Sequence, residues 1–184
     1  LSEGLVGPEE LGLREQSREG LQLENRELDG LLGGIPRGSL TEINGEASSG
    51  RASLLYRILA AATRRMEVCA LDDVTNSFDP ASAAVAGVGL EQLLWVRCGG
   101  ELETALKAMD LLLHAGGFGV VAVDMVGITE EPRIESSLWY RFRRAVLNSP
   151  SVALIVSPRP ISATSSSLRL QLSNREQEWT GNPG

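Results

Sequence analysis

Two textures of hydrophobic and polar residues succeed each other along this chain from about residue 40 onward. One is a short continuous apolar run, as in Leu40-Thr41-Glu42-Ile43-Asn44, Val68-Cys69-Ala70-Leu71, Leu93-Leu94-Trp95-Val96, Val120-Val121-Ala122-Val123-Asp124 and Val152-Ala153-Leu154-Ile155-Val156. Runs of this length rich in β-branched residues read as strands buried on both faces. The other texture has a helical period. Ala52 to Arg64 carries Leu54, Leu55, Ile58, Leu59 and Ala62, and Glu101 to His114 sets Leu102, Ala105, Leu106, Met109 and Leu113 on one side. Pro80 to Ala86 and Ile134 to Leu147 add a short and a longer helix. Strands alternating with amphipathic helices predict an α/β fold, a mostly parallel sheet flanked by helices. Near the end, Ser167 to Leu172 and Arg175 to Thr180 alternate around Ser173-Asn174, which predicts a C-terminal β-hairpin.

The first 28 residues have a different character, rich in Glu, Gly and Arg with scattered Leu5, Leu11, Leu13, Leu21 and Leu23. Pro8 followed by Glu9-Glu10 looks like a helix start. The expectation is an N-terminal arm or peripheral helix over 1–28 and one core domain over 29–184, entered through the turn-rich stretch 28–38. At 184 residues the chain is long enough to bury a core of its own. Leu1 rather than Met opens the sequence, as in a segment excised from a longer chain or one that has lost a leader.

Composition narrows the function classes. No apolar run approaches the roughly 18–20 residues of a membrane span, so no membrane contact is expected. Cys69 and Cys98 sit in separate predicted strands with only His114 to join them. No metal site or disulfide framework is expected, and reduced buried thiols in a cytoplasmic protein fit better. The net charge of −7 argues against a broad electrostatic grip on DNA, leaving any such contact indirect or weak. Positive charge is nearly all Arg, with Lys107 the one lysine. Arg141, Arg143 and Arg144 form a local cluster that is either a solvated helix face or a surface for a partner.

The loop after the first strand carries the most chemistry. Gly45-Glu46-Ala47-Ser48-Ser49-Gly50-Arg51-Ala52 keeps the two glycines of G-x-x-x-x-G-K-[ST], the pattern whose backbone amides wrap phosphates. A strand, this loop and a helix start aim amides and a positive dipole end at an anion. A plain Gly-Ser turn between strand and helix would also read this way. Arg51 replaces the lysine that reaches the terminal phosphate, and Ala52 replaces the hydroxyl that ligates Mg²⁺. Asp124, closing an apolar strand, fits a metal-holding carboxylate or a strand-end residue capping its own turn. Asp72 and Asp73 could orient a water or hold loop amides.

In order, Leu28-Asp29-x-Leu-Leu-Gly-Gly-x-Pro-x-Gly, Glu42-Ile43-x-Gly45-x-x-Ser48-Ser49-Gly50, Cys69-Ala70-Leu71 with Phe78-Asp79-Pro80, Gly89-Leu90-x-x-Leu93-Leu94, and Val121-Ala122-Val123-Asp124 resemble the ATPase core of RecA-type recombinases over residues 28–180. The resemblance implies a RecA-like P-loop NTPase core. It also implies what is altered. Besides Arg51 and Ala52, with Ser53 one residue late and about 100° round the helix, Thr75 stands for the catalytic Glu. Ser82 stands for the adenine-stacking aromatic, and Ser157-Pro158 for the γ-phosphate-sensing Asn-Gln pair. A hydroxyl such as that of Thr75 is a poor base near neutral pH, so no catalytic residue and no ATPase activity is expected. Nor is a cofactor expected, although the charge and donors of Arg51 leave room for weak ATP or anion binding without Mg²⁺.

Within this group the segment Asp79 to Leu90 with Leu93-Leu94-Trp95-Val96 is most similar to degenerate ImuA/SulA-like paralogues. That likeness implies an accessory interaction module in translesion synthesis, with an ImuB-like polymerase subunit or RecA as protein partner. Self-association through the N-terminal arm is a further expectation of the RecA-like pattern. The alternative is a nucleotide- or DNA-binding regulator of recombination.

Overall fold

The computed structural model describes residues 20–128, 133–162 and 164–173. Its strands are β1 (Ser39–Gly45), β2 (Cys69–Asp73), β3 (Leu93–Arg97), β4 (Val120–Asp124), β5 (Val152–Ser157) and β6 (Leu168–Leu172). They form one sheet in the order β3-β2-β4-β5-β1-β6, every pairing parallel. The expected parallel α/β architecture is therefore present. Texture follows position. The four inner strands are buried at every residue, whereas β6 at the edge alternates between half-buried and exposed. A central strand covered on both faces needs no polar side, and an edge strand does.

The helices are α1 (Arg26–Leu32), α2 (Arg51–Arg64), α3 (Pro80–Val85), α4 (Leu102–Ala115) and α5 (Ser136–Val146). On one face α2 packs Leu55, Ile58 and Leu59 with Ile43, Leu71, Ala122 and Leu154 of the strands. On the other, Met109 and Leu113 of α4 and Trp139 and Phe142 of α5 cover Val121, Val123, Ala153 and Ile155. The thiols divide likewise, Cys69 on the first face and Cys98 on the second, both free and buried. Burial pushes the Cys69 thiol up to about 12 and raises that of Cys98, with Asp72 and Asp73 adding to the latter.

Two expectations change on folding. The turn-rich stretch after residue 25 contains α1, whose ends are fixed by side chains rather than by apolar period. Asn25 caps it by accepting from Leu28 N (2.9 Å), and Asp29 accepts from Leu23 N (2.7 Å) and Asn25 N (3.0 Å). Leu21 and Leu23, expected on an exposed docking arm, are buried in the α2-side core, with Leu21 bridged to Ile35. They are therefore closed to a partner. Residues 1–19, with Leu5, Leu11 and Leu13, lie outside the described residues. The strand expected to open a hairpin is β6, a parallel neighbour of β1; Arg175 to Thr180 also lie outside the described residues.

Two buried carboxylates show how differently the core treats charge. Glu42, wholly inaccessible, accepts from Ile161 N (2.6 Å), Ser162 N (3.3 Å), Ser162 Oγ (2.6 Å) and Arg169 Nε (2.9 Å), tying the β5–β6 loop and β6 to the sheet. Asp72 sits between Ala70 and Val74 on the α4–α5 face, equally buried, and both its oxygens lack a hydrogen-bond partner. Burial alone lifts its pKa to about 7.

Each makes a prediction. Glu42→Ala should cost about 3 kcal/mol in urea denaturation, since it strands buried donors. Glu103→Ala, in the exposed pair with Lys107, should leave the urea midpoint unchanged. For Asp72 the folded pKa lies above the unfolded one, so its carboxyl favours folding below pH 4 and loses that contribution as pH rises through about 7. Asp72→Val should therefore be the more stable protein at pH 8, by about 3 kcal/mol, and should flatten the stability profile between pH 4 and 7.

Candidate functional site

The carboxyl ends of β1, β2 and β4 face the start of α2, the position where parallel sheets gather ligands. The chain leaves β1 at Gly45, turns through Ser49 N to Glu46 O (3.2 Å), and places Ser48 and Gly50 at φ 60° and 91°. Gly50 supplies that left-handed conformation without strain. Gly45 is needed for another reason: a Cβ there would lie 2.4 Å from the Leu172 carbonyl oxygen and 2.6 Å from Ser49 Oγ. The helix begins at Arg51 with no side-chain cap and no acidic residue in its first turn, leaving its positive end toward the loop.

Arg51 does not reach into solvent. It is 7% exposed, and its Nη1 is buried without a hydrogen-bond partner. Burial lowers its pKa, while the neighbouring Asp124 carboxylate opposes that shift. Asp124 is itself 5% exposed, with Oδ1 accepting from Val126 N (2.9 Å) and Oδ2 3.5 Å from Ser77 Oγ. Its pKa is raised to about 6, chiefly by burial and further by Asp73, against the pull of the Val126 amide and Arg51. The crevice thus holds a resident guanidinium within reach of the Asp124 charge, and Asp73 stands beside Asp124 on the adjacent strand.

Other residues of the loop cluster are engaged locally. Asp73 takes the loop-holding role, accepting from Ser77 N (3.0 Å), Phe78 N (3.0 Å) and Trp95 Nε1 (3.1 Å). Asp72 points to the opposite face and does not join the site. The Thr75 hydroxyl donates to Val126 O (2.6 Å), and that of Ser157 to Arg159 O (2.8 Å). Ser82 donates to Asp79, which also caps α3 through Ala81 N and Ser82 N. Ala52 and Ser53 lie on the exposed side of α2.

The structure therefore brings Gly45, Ser48, Ser49, Gly50, Arg51 and Asp124 together, with Ala52 at the rim. Arg141, Arg143 and Arg144 belong to α5 on the other face, where Arg141 pairs with Asp110. Ser49, expected in the loop, has its Oγ buried without a partner; sequence reasoning missed Asn44 Nδ2, buried likewise, and the Tyr56–Phe78–Trp95 edge-to-face ladder (5.7 and 5.2 Å) beside Asp73. Aromatic spacing across three separate elements leaves no local signal. The donor set does not fit a magnesium–nucleotide complex: Ala52 offers no oxygen at the helix start, and the cation beside Asp124 is Arg51.

The model of the RecA N-terminal domain matches residues 17–138. Protein RecA of Deinococcus radiodurans is 39% identical over 108 residues, 58% of this chain and 30% of that protein. Protein RecA of Teredinibacter turnerae is 35% identical over 108 residues, 58% of this chain and 31% of its own. The corresponding protein of Laribacter hongkongensis is 39% identical over 95 residues, 52% and 27% of the two chains. The chain thus spans under a third of the curated relatives it matches.

Arg51→Ala should move the Asp124 titration above 6, because it removes the cation opposing desolvation. Carboxyl carbon shifts followed by NMR between pH 4 and 9 measure this; Arg51→Lys should leave the midpoint within about half a unit.

Proposed function

The chain belongs to the RecA N-terminal domain family, and from that premise we propose a RecA-like module that does not hydrolyse ATP and acts as an accessory, protein-contacting component of translesion synthesis in bacterial induced mutagenesis. The observation that carries the loss of hydrolysis is the buried Arg51 guanidinium beside Asp124. Phosphoryl transfer needs a positioned metal ion and a residue that orients the attacking water. In this crevice the helix start has Ala52 for the ligating hydroxyl, and Thr75 spends its proton on a backbone carbonyl. The accessory role rests on the likeness of Asp79 to Val96 to ImuA/SulA-like paralogues. It implies an ImuB-like polymerase subunit or RecA as partner.

One observation favours a second reading, a regulator that binds ATP or another anion weakly without Mg²⁺. Arg51 Nη1 and Ser49 Oγ are buried donors without partners at an uncapped helix start. Such groups each cost about 1–3 kcal/mol unless something accepts from them.

Phosphate release from Mg-ATP, with and without single-stranded DNA, should stay at the no-protein background. Release that disappears in Asp124→Asn would overturn the proposal. Calorimetry with ATP separates the readings: the regulator requires a heat of binding that persists in EDTA and is lost in Arg51→Ala, and the pure interaction module gives none.

A further inference from the structure

Helix α4 lies over a carboxylate that nothing satisfies. Asp72, on β2, is wholly inaccessible to solvent, and neither of its oxygens has a hydrogen-bond partner. Its neighbours in register are Val96 on β3 and Val123 on β4. Helix α4 packs against β2 and β4 and brings Ala105, Leu106 and Met109 to the same core.

The surrounding elements hold few charges near it. Cys98 shares its face, and the Asp72 charge helps to raise that thiol. Asp73, Arg97 and Asp124 alternate onto the opposite face of the sheet. On α4, Glu103 pairs with Lys107 at the surface, and Asp110 is taken by Arg141 of α5, with His114 Nδ1 3.4 Å away. Helix α5 adds Trp139 and Phe142 to this core. Burial is accordingly the sole cause that lifts the Asp72 pKa to about 7.

The attachment of α4 lets it move without disturbing the sheet. Its polar tie among the described residues, Asp110 to Arg141, runs to α5 and not to a strand. Paired glycines stand at both ends, Gly99-Gly100 and Gly116-Gly117, with φ between 63° and 91°. A Cβ at any of them would meet nothing within 4 Å, so no packed neighbour blocks rotation there. Joints of this kind absorb backbone changes at the ends of a moving element. The anchors stand outside the helix itself. Cys98 N and Gly100 N donate to Asp73 O (2.9 Å) and Val74 O (2.6 Å), and Gly119 N donates to Val68 O (2.8 Å).

We propose that a proton on Asp72 holds α4 down: protonated, the helix is seated, and ionised, it lifts locally from β2 and β4 while the α2 face of the sheet stays packed. The face beneath, with Ala70, Val121 and Val123, opens only once the proton has left. In the open state Asp72 meets water and returns to the ordinary carboxylate value of about 4. Opening is therefore most resisted below that value, grows as pH rises toward the seated value, and levels off above it. The device involves neither Arg51 nor Asp124.

Hydrogen exchange of the whole chain between pH 5 and 8, corrected for intrinsic rates, reads the opening directly. The amides of 102–115 should exchange ahead of those of β4 and β5, with an opening constant that rises on the order of a hundredfold over that span. In Asp72→Asn the constant should stay flat. The two thiols give a second readout, because Cys69 belongs to the α2 face and Cys98 to the α4 face. At pH 8 iodoacetamide should modify Cys98 ahead of Cys69, and Cys98 should react more slowly in Asp72→Asn. Loss of the charge alone would do the reverse, by lowering the Cys98 pKa. Exchange of α4 in step with β4 and β5, an opening constant flat with pH in the unaltered chain, or a rise that survives in Asp72→Asn would overturn the proposal. The comparison of α4 with the strands needs no variant.

Discussion

The constraint on which the crevice depends is that the guanidinium of Arg51 and the carboxylate of Asp124, each within reach of the other's charge, are both withdrawn from water. A phosphate loop normally leaves its cationic side chain free to meet a ligand, and its strand-end carboxylate free to meet a metal. Here each has the other as neighbour. The positive end of α2 and the two left-handed loop residues remain, so the backbone keeps the turn of a phosphate loop. The protein has replaced an external charge balance with an internal one.

That replacement is one of several places where a single sheet sorts carboxylates by face. Asp72 and Asp73 are adjacent in sequence and opposite in environment. Asp73 turns toward the loop and collects four donors, whereas Asp72 turns toward α4 and collects none. Glu42, in the same sheet row as Asp72 three strands farther on, gathers four. A buried carboxylate with a full set of donors organises a loop, and one without them is a liability that the rest of the core offsets.

Most of the architecture was legible because it rests on apolar period, which sequence displays directly. The strands β1 to β5 and the helices α2 to α5 fall within about two residues of the pattern, although β3, read as buried on both faces, lies at the other sheet edge and is only half-buried to exposed. What escaped was fixed by side-chain hydrogen bonds. Helix α1 holds Gly30 in its middle and has no buried residue, so its Asn25 and Asp29 contacts carried no period to detect. Leu21 and Leu23 looked like arm residues because their partner Ile35 lies beyond a turn. In the site, the glycine spacing showed that a phosphate-type loop exists. The inward turn of Arg51 did not show, since a sequence gives a side chain's charge and not its direction.

The carbonyl of Leu172 lies where any side chain on Gly45 would have to go. The last residue of β6 therefore acts as a doorstop against the first residue of the loop, and the sheet's edge and the crevice are packed directly together. A load on the chain just past Leu172, pulling the sheet's edge aside, would be felt first at the floor of the crevice, far along the sequence and one atom away in space.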